Sequence, residues 1–365
     1  MKTIPISQKK TRVSNLELLR IISMMLVMLV HYLPLRMPVS HDMAINSPLK
    51  ALFDLELHSI AIICVNSFIL ISGYFGIKWK FKTLMGLLFQ IIFWFFAGYF
   101  VAAILDPYIS GNQDIPDFKG MIFSLLHWLQ GRWFISAYIT LYIISPLINS
   151  FVEKSSDKQL LRYIIAFYIF STVYGYFMGS EEFATGLSAL SLFGLYLIGA
   201  WLRKSRLSFI HWNKNYDLLG FVACTLILTV ISYILILINF NHSIYGYLNP
   251  LVIVESIFLF QYFRKLQLGY IPWINFIAVG AFSVFLFHCH PYVAYYCKIL
   301  WKYCHNTCDF AIILVLILIV AIYLFCILID RIQQLIYKLI CKLVSRISSR
   351  IHNTKDISTN PASQQ

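Results

Sequence analysis

Charged residues are scarce in this chain, and their scarcity limits what kind of protein it can be. Only 12% of its 365 residues are Asp, Glu, Lys or Arg, whereas a soluble domain carries about 25%. Hydrophobic residues make up 59%, including 30 Phe and 23 Tyr, and the mean hydropathy is +0.74. This composition cannot supply the polar surface of a soluble domain, so the sequence predicts a polytopic membrane protein.

Several signatures of soluble enzymes are also missing. The eight cysteines form no CxxC pair, and the chain contains no HExxH, P-loop or GxGxxG motif and no Ser-His-Asp pattern. Cys304 and Cys308 flank His305, a pattern that fits either a metal site or a disulfide. Because zinc needs three or four ligands at workable spacing, we interpret them as ordinary cysteines and expect no bound metal. The first apolar run lacks a small-residue cleavage site and many more runs follow it, so we expect no signal peptide.

Long apolar runs dominate what the sequence does contain. A transmembrane helix needs about 20 largely apolar residues, and ten runs approach that length. We therefore predict an all-α integral membrane fold, a bundle of about ten transmembrane helices. The predicted spans are 16–35, 58–76, 83–105, 133–152, 161–178, 186–202, 216–238, 245–263, 272–294 and 310–330.

Lys and Arg are distributed unevenly between the two ends of these spans. Of the 29 Lys and Arg, one side of the membrane holds only Arg36, Lys50, Lys119, Arg132, Lys298 and Lys302. The basic side of a membrane protein is the cytoplasmic side, so both termini are predicted to be cytoplasmic. The net charge of +13 thus indicates topology, and we expect no nucleic-acid partner.

The chain is predicted to have four parts. Residues 1–15 form a cytoplasmic N-terminus, and residues 16–330 form the ten-helix transmembrane domain. In residues 331–351, apolar positions recur at spacings of three and one beside a basic face, which predicts an amphipathic helix on the inner membrane surface. The polar tail 352–365 is predicted to be disordered.

An ionisable pair lies inside the first span, where ionisable side chains are costly and mark functional sites. Arg20 and His31 are eleven residues apart. At about 100° and 1.5 Å per residue, both side chains lie on one face of a helix, roughly 16 Å apart along its axis. This geometry suits a site that is reached from both sides of the membrane.

A second group of candidates lies where the second span ends. Ser72 and Gly73 are small enough to allow close approach of a neighbouring helix. Three lysines follow at once: Lys78, Lys80 and Lys82. Together with Arg20 they would suit an anionic ligand with several phosphates. Snorkelling anchors on the positive side are the simpler explanation of the lysines taken alone.

Further polar groups gather near the depth of His31. Histidine titrates near neutrality and can act as a general base toward a sugar hydroxyl. Of the two histidines in FHCHP, we interpret His288 as an ordinary hydrogen-bonded bundle residue and His290 as a substrate-binding candidate. Glu255 is either the partner of His31 or a helix-pairing residue. The other substrate-binding candidates are Arg132, Trp133 and Tyr138.

Five elements occur in a recognisable order. The first is Arg-x10-His, Arg20 to His31 after NLELLR. The others are FILISGYFG (68–76), RWFISAYITLYIISPLIN (132–149), GLYLIGAWL (194–202) and VFLFHCHPYV (284–293). In these elements the chain resembles the acyltransferase 3 family of bacterial integral-membrane O-acyltransferases, over most of its length from about 14 to 330.

The resemblance implies a multi-pass enzyme of the bacterial cytoplasmic membrane. Such an enzyme takes an acyl group, usually acetyl, from cytoplasmic acyl-CoA and delivers it to a hydroxyl of a cell-surface polysaccharide or its lipid-linked precursor. Carried over by position, Arg20 and His31 are the essential pair. Ser72, Gly73 and Tyr74 fall on the family's second-helix motif, beside the donor. Members often have paired arginines after this motif, where this chain has lysines.

Two other classes of membrane protein fit part of the pattern. A secondary transporter would also have many spans and buried charges, but the chain shows neither inverted repeats nor paired Gly/Pro-broken segments. A flippase or polymerase of lipid-linked glycans usually has a large basic outer loop, whereas the longest one here, 106–131, is acidic. Dependence on acyl-CoA separates the enzyme from both.

Overall fold

A computed structural model describes residues 13–32, 39–109, 118–180, 183, 186–240, 244–307 and 311–358. The structure is 85% helical, and the described residues contain no strand. The all-α prediction is therefore confirmed. The first twelve residues, the end of the first predicted span at 33–35 and the tail after 358 lie outside the described residues.

The described residues form fifteen α-helices in chain order. The first seven are α1 (Ser14–Tyr32), α2 (His41–Asn46), α3 (Pro48–Ile62), α4 (Cys64–Phe75), α5 (Phe81–Ile109), α6 (Phe118–Gly131) and α7 (Trp133–Lys154). The next four are α8 (Asp157–Thr172), which continues into a π-turn (Val173–Phe177), α9 (Ala189–Lys204), α10 (Lys214–Leu237) and α11 (Pro250–Lys265). The last four are α12 (Pro272–Val279), α13 (Ala281–His288), α14 (Pro291–Thr307) and α15 (Ala311–Ser358).

Six helical segments of the described chain are long and apolar enough to cross a membrane. They are Ser14–His31, Pro48–Phe75, Phe81–Tyr108, Trp133–Lys154, Lys214–Leu237 and Ile313–Ile347. A bent pair, Pro272–His288 with Pro291–Ile299, brings the number to seven if it counts as one span. The other predicted spans coincide with α8, α9 and α11, each of 16 residues. The second helical segment begins at Pro48, earlier than the predicted start at 58.

Helix α1 lies in the centre of the bundle and packs against α3, α4, α11, α12 and α13. Its first turn is held by the last turn of α11 and by the loop that follows it. The backbone N–H of Ser14 donates to the carbonyl of Gly269 at 2.9 Å, and the side-chain amide of Asn15 donates to the carbonyl of Arg264 at 3.0 Å. These bonds fix the register of α1, and with it the depth of Arg20 and His31.

Helices α4 and α9 pack backbone against backbone, because each has a glycine at the contact. A Cβ on Gly73 would lie 2.1 Å from the carbonyl oxygen of Tyr196, and one on Gly199 would lie 2.3 Å from that of Leu70. Small residues allow such backbone contact between membrane helices. The prediction that a neighbouring helix approaches closely at Ser72-Gly73 is confirmed.

The predicted span 272–294 is not one continuous helix. It is interrupted at Gly280 and again after His288, where α14 turns away from the segment before it by 84°. Pro291 is the first residue of α14, and proline, which lacks an N–H and has a fixed φ, is suited to a helix start but not to a helix interior. This bend lies at the candidate site.

Helix α15 also differs from the prediction. Residues 331–351 are helical, as their spacing indicates, but they continue the last span without a break in one helix of 48 residues. That helix runs to Ser358, into the segment that was predicted to be disordered. No Gly or Pro occurs between 331 and 351 to end it. The separation into a span and a distinct surface helix is therefore not seen.

Candidate active site

Two histidines from distant parts of the sequence meet inside the bundle. His31 lies in the last turn of α1, and His288 is the last residue of α13. His31 Nδ1 lies 2.9 Å from His288 Nε2, and the ring centroids are 5.1 Å apart. His288 is only 1% exposed, whereas His31 is partly exposed. The pair therefore has one buried member and one accessible member.

The hydrogen bonds around the pair determine which nitrogen atoms carry protons. His288 Nδ1 lies 2.6 Å from the carbonyl oxygen of Val284, and a carbonyl can only accept. In a neutral imidazole the other nitrogen then has the lone pair, so His288 Nε2 accepts the proton of His31 Nδ1. The lone pair of neutral His31 is consequently on Nε2. This is the tautomer that a histidine general base requires.

A thiol completes this group. Cys289 Sγ lies 3.6 Å from His31 Nδ1 and 3.4 Å from His288 Nε2. Cys289 follows α13 as its C-cap, and its backbone N–H bonds back to the carbonyl of Phe285. The bend after His288 thus places two adjacent side chains beside His31. We call His31, His288 and Cys289 the histidine–cysteine cluster.

The cluster opens into a cavity of about 180 Å³, which we call the histidine cavity. Its wall includes His31, Cys289, Arg132 and Trp133. The remaining lining residues are mostly apolar: Met24, Val27, Val30, Cys64, Val65, Phe68, Gly131, Phe134, Tyr247 and Phe285. A mostly apolar cavity with a few convergent polar groups is typical of a small-molecule site. Two of the predicted substrate-binding residues, Arg132 and Trp133, lie in it.

Helix α6 packs next to the histidine–cysteine cluster. Its Trp128 is 3% exposed, packs beside Phe95 and His290, and points its indole N–H toward the carbonyl of Cys289 at 3.5 Å. The end of the acidic loop 106–131, Phe118–Gly131, is therefore a helix that is packed against the bundle. Its contact with the backbone of Cys289 restrains the bend between α13 and α14.

The Arg20 end of α1 has its own polar group. Arg20 forms an ion pair with Glu17, one turn earlier, at 2.5 Å. Tyr138 lies beside Ser72 and within electrostatic range of Arg20. Tyr138 therefore lies toward the Arg20 end of α1, and it does not line the histidine cavity. Our prediction placed Tyr138 with Arg132 near His31, and the structure instead associates it with Arg20.

One face of α7 runs from the histidine cavity toward the Arg20 end of α1. Phe134, Tyr138 and Tyr142 are spaced by four residues, so they lie one above another on a helix. Phe134 lines the histidine cavity and stacks on Tyr138 at 5.9 Å. Tyr142 hydrogen-bonds the backbone of Lys78 and Lys80. The face spans roughly 12 Å from first to last Cα at 1.5 Å per residue.

The segment after α4 is held in place by buried polar groups. The amide of Asn149 donates to the carbonyl of Ile77 at 2.8 Å, and the hydroxyl of Tyr196 accepts from the N–H of Ile77 at 2.8 Å. The side chains of the following lysines are exposed: Lys78, Lys80 and Lys82. A fixed backbone with free cationic side chains is suited to binding a polyanion at this surface.

Two predicted site residues lie away from the histidine cavity. His290 is fully buried against Gly98 of α5, among the rings of Phe95 and Trp128. Glu255 is also fully buried, and neither of its carboxylate oxygens has a hydrogen-bond partner. Its acidic neighbour is Glu56. Glu255 is thus not hydrogen-bonded to His31, whose ring bonds to His288 instead.

His288 and Cys289 are the site residues that sequence reasoning missed. The two histidines of FHCHP are only two positions apart, and we chose His290 as the candidate. Pro291 was the available signal, because a proline predicts a helix end just before it. A helix that ends at His288 presents that side chain at its terminus, where it faces α1.

The fold and the site together define a class of protein. A helical membrane bundle encloses a histidine pair at one end of a central helix and an arginine at its other end, with a cavity beside the histidines. This arrangement suits a membrane-embedded group-transfer enzyme.

Comparison with known proteins identifies the class more closely. The model of a family described as an acyltransferase domain matches residues 13–331, most of the chain. The chain belongs to the acyltransferase 3 family, and it is accordingly a membrane acyltransferase. No curated protein and no solved structure matches it.

Proposed function

We propose that this protein moves an acyl group, acetyl in the first instance, from cytoplasmic acyl-CoA to a hydroxyl of a cell-surface polysaccharide or its lipid-linked precursor. It would act in the cytoplasmic membrane of a bacterium, with ten membrane crossings and both termini inside. The short helices α8, α9 and α11 would provide three of the crossings. The family match supports the acyl transfer, and the site geometry supports the assignment of roles below.

The observation that carries the proposal is the bond between His31 Nδ1 and His288 Nε2. It places the lone pair of His31 on Nε2, in a residue that is partly exposed and lines a cavity. A positioned base of this kind contributes about 10²–10⁴-fold to the rate of proton-transfer chemistry. An acceptor hydroxyl in the histidine cavity would therefore be activated by His31.

The Arg20 end supports the entry of the donor. CoA carries several phosphates, and guanidinium and ammonium groups bind phosphate by charge-assisted hydrogen bonds. Arg20 and the three lysines after α4 provide such groups on the predicted cytoplasmic side, with Ser72, Gly73 and Tyr74 between them. From there the face of α7 leads through Tyr138 to the histidine cavity. The acyl-pantetheine arm would follow this face.

The transfer step can be written with all atoms balanced. His31 Nε2 removes the proton of the acceptor hydroxyl, and the oxygen attacks the thioester carbonyl carbon. The carbon–sulfur bond then breaks, and the CoA thiolate leaves with the proton from the imidazolium. Arg132, on the cavity wall, would stabilise the negative oxygen of the tetrahedral intermediate. In a two-step variant, Nε2 attacks the thioester carbonyl and the CoA thiolate leaves. The acceptor hydroxyl then attacks the acyl-imidazole, the carbon–nitrogen bond breaks to restore His31, and the hydroxyl proton passes to the CoA thiolate.

The test is an acyl analysis of the host's surface polysaccharide. Strains would carry the wild type, His31→Ala, or a control, His211→Ala, at equal protein level. His211 is an exposed histidine outside the cavity. We expect loss of one O-acyl signal with His31→Ala alone, and no change in glycan amount. Full acylation with His31→Ala would refute the mechanism, and altered glycan export with unchanged acylation would indicate a transporter, flippase or polymerase instead.

A further inference from the structure

The histidine–cysteine cluster has the composition and spacing of a soft-metal site. Its three donor atoms are 2.9, 3.4 and 3.6 Å apart. In a tetrahedral zinc site with Zn–N near 2.0–2.1 Å and Zn–S near 2.3 Å, ligand atoms are separated by about 3.3–3.6 Å. Small rotations of the side chains would meet this geometry. We infer that His31, His288 and Cys289 bind a zinc ion.

The surroundings of His288 support this site. Histidine ligands of metals usually donate their second ring N–H to a carboxylate or a backbone carbonyl, which fixes the tautomer and the ring orientation. His288 has this bond already, from Nδ1 to the carbonyl of Val284 at 2.6 Å. Its Nε2 atom therefore points a lone pair into the cluster, as a zinc ligand must.

The cavity provides access and a fourth coordination position. His31 and Cys289 both line the histidine cavity, so an ion can enter from it and keep a water molecule or an anion as its fourth ligand. Two imidazoles and a thiolate favour Zn²⁺ over the hard cations Mg²⁺ and Ca²⁺. Arg132 on the same wall opposes a dication, and the negative charge of the Cys289 thiolate offsets this repulsion.

Zinc binding has a consequence for catalysis, and this part rests on the proposed function. When His31 binds zinc through Nδ1, the proton of the neutral ring must lie on Nε2. The lone pair that would activate the acceptor hydroxyl is then lost, and the hydrogen bond to His288 is replaced by two bonds to the metal. The zinc-bound enzyme is therefore an inactive state of the acyltransferase.

The sequence shows no metal motif because two ligands are adjacent and the third lies 257 positions from His288. Metal sites are read from short spacings such as CxxC, and no local pattern joins α1 to the end of α13. The expectation of no bound metal followed from that absence. The site exists only after the bend behind His288 brings the two helices together.

Cobalt binding to the purified full-length protein in detergent tests the site. Co²⁺ replaces Zn²⁺, and a thiolate ligand gives a sulfur-to-cobalt charge-transfer absorption. We expect one Co²⁺ per chain with this absorption, which Zn²⁺ abolishes and Mg²⁺ does not. The absorption should disappear in Cys289→Ser and persist in Cys297→Ser, a buried cysteine of α14. Persistence in Cys289→Ser, or no cobalt binding by the wild type, would overturn the proposal.

A second variant and a second readout keep the outcomes separable. In His31→Ala, removal of one nitrogen ligand should weaken Co²⁺ binding at least about tenfold, since loss even of an outer-shell partner costs 10–100-fold. Elution of each variant as a single peak in size-exclusion chromatography shows that it is folded. Zinc should also inhibit acyl transfer by the wild type. Cobalt binding by a protein that transfers no acyl group even when metal-free would refute the proposed function alone, and transfer without cobalt binding would refute the zinc site alone.

Discussion

Replacement of His288 provides the sharpest test of how the two histidines work together. His288 does not line the histidine cavity, so it acts through His31 as a positioning residue. His288→Ala removes His288 Nε2, which lies 2.9 Å from His31 Nδ1 and accepts its proton. A single hydrogen bond contributes about 0.5–1.5 kcal/mol, which corresponds to a roughly 2- to 13-fold change in the population of the productive tautomer.

Loss of orientation adds to this tautomer effect. Since a well-placed general base is worth about 10²–10⁴-fold, we expect kcat to fall by between about 10- and 10³-fold in His288→Ala. The KM for acyl-CoA should not change, because the donor is predicted to bind near Arg20. His288→Gln should recover part of the loss, since the amide oxygen of glutamine can accept the Nδ1 proton.

The assay is initial-rate acetyl transfer from radiolabelled acetyl-CoA in membranes with matched protein levels. Activity of His288→Ala within about twofold of wild type would refute the role of the pair. Equal loss in the Ala and Gln variants, with lower thermal stability in both, would show that His288 serves packing rather than catalysis. A rise in the KM for acyl-CoA would show that the donor does not bind only at the Arg20 end of α1.

Three further predictions concern the Arg20 end and the helix packing. Arg20→Ala should raise the KM for acyl-CoA about 13- to 160-fold, because hydrogen bonds to charged groups contribute about 1.5–3 kcal/mol. Steady-state kinetics should show no such rise when the exposed Lys158 is replaced, in Lys158→Ala. Replacing the three lysines after α4 by glutamine should reduce the salt dependence of the KM for acyl-CoA, since exposed charges are screened by salt. An unchanged salt dependence would show that these lysines anchor the protein in the membrane and do not bind the donor. Gly73→Val should destabilise the protein by about 1–3 kcal/mol, because its Cβ would lie 2.1 Å from a backbone oxygen of α9; thermal unfolding in detergent measures this, and Gly131→Ala, with nothing within 4 Å, should have little effect.

The parts of this site that the sequence could predict are those that depend on one helix. Arg20 and His31 share a face because α1 is continuous from Ser14 to Tyr32, and the angle per residue then follows from helix geometry. The close approach at Gly73 is similar, since a small residue allows the backbone of a neighbouring helix to pack against it. Both predictions needed only local periodicity and residue size.

The remaining parts depend on contacts between distant segments. Whether His288 or His290 faces α1 is decided by where α13 ends, and a bend of 84° cannot be read from hydropathy. Glu255 lies mid-span like many functional carboxylates, yet its electrostatic neighbour is Glu56, and its carboxylate oxygens have no hydrogen-bond partner. Tyr138 lies only six positions from Arg132, but that distance on α7 carries it from the histidine cavity to Arg20.

Because Arg20 and His31 stand on the same rigid helix, the distance between them works as a spacer of constant length. The protein cannot shorten it by closing a hinge, so under the proposed function the donor itself must span it. A thioester carried on an arm of matching reach would touch both ends at once, and small activated acyl compounds without such an arm would leave one end empty. The selection of the donor would then depend on eleven residues of α1, before any side chain in the cavity distinguishes one acyl group from another.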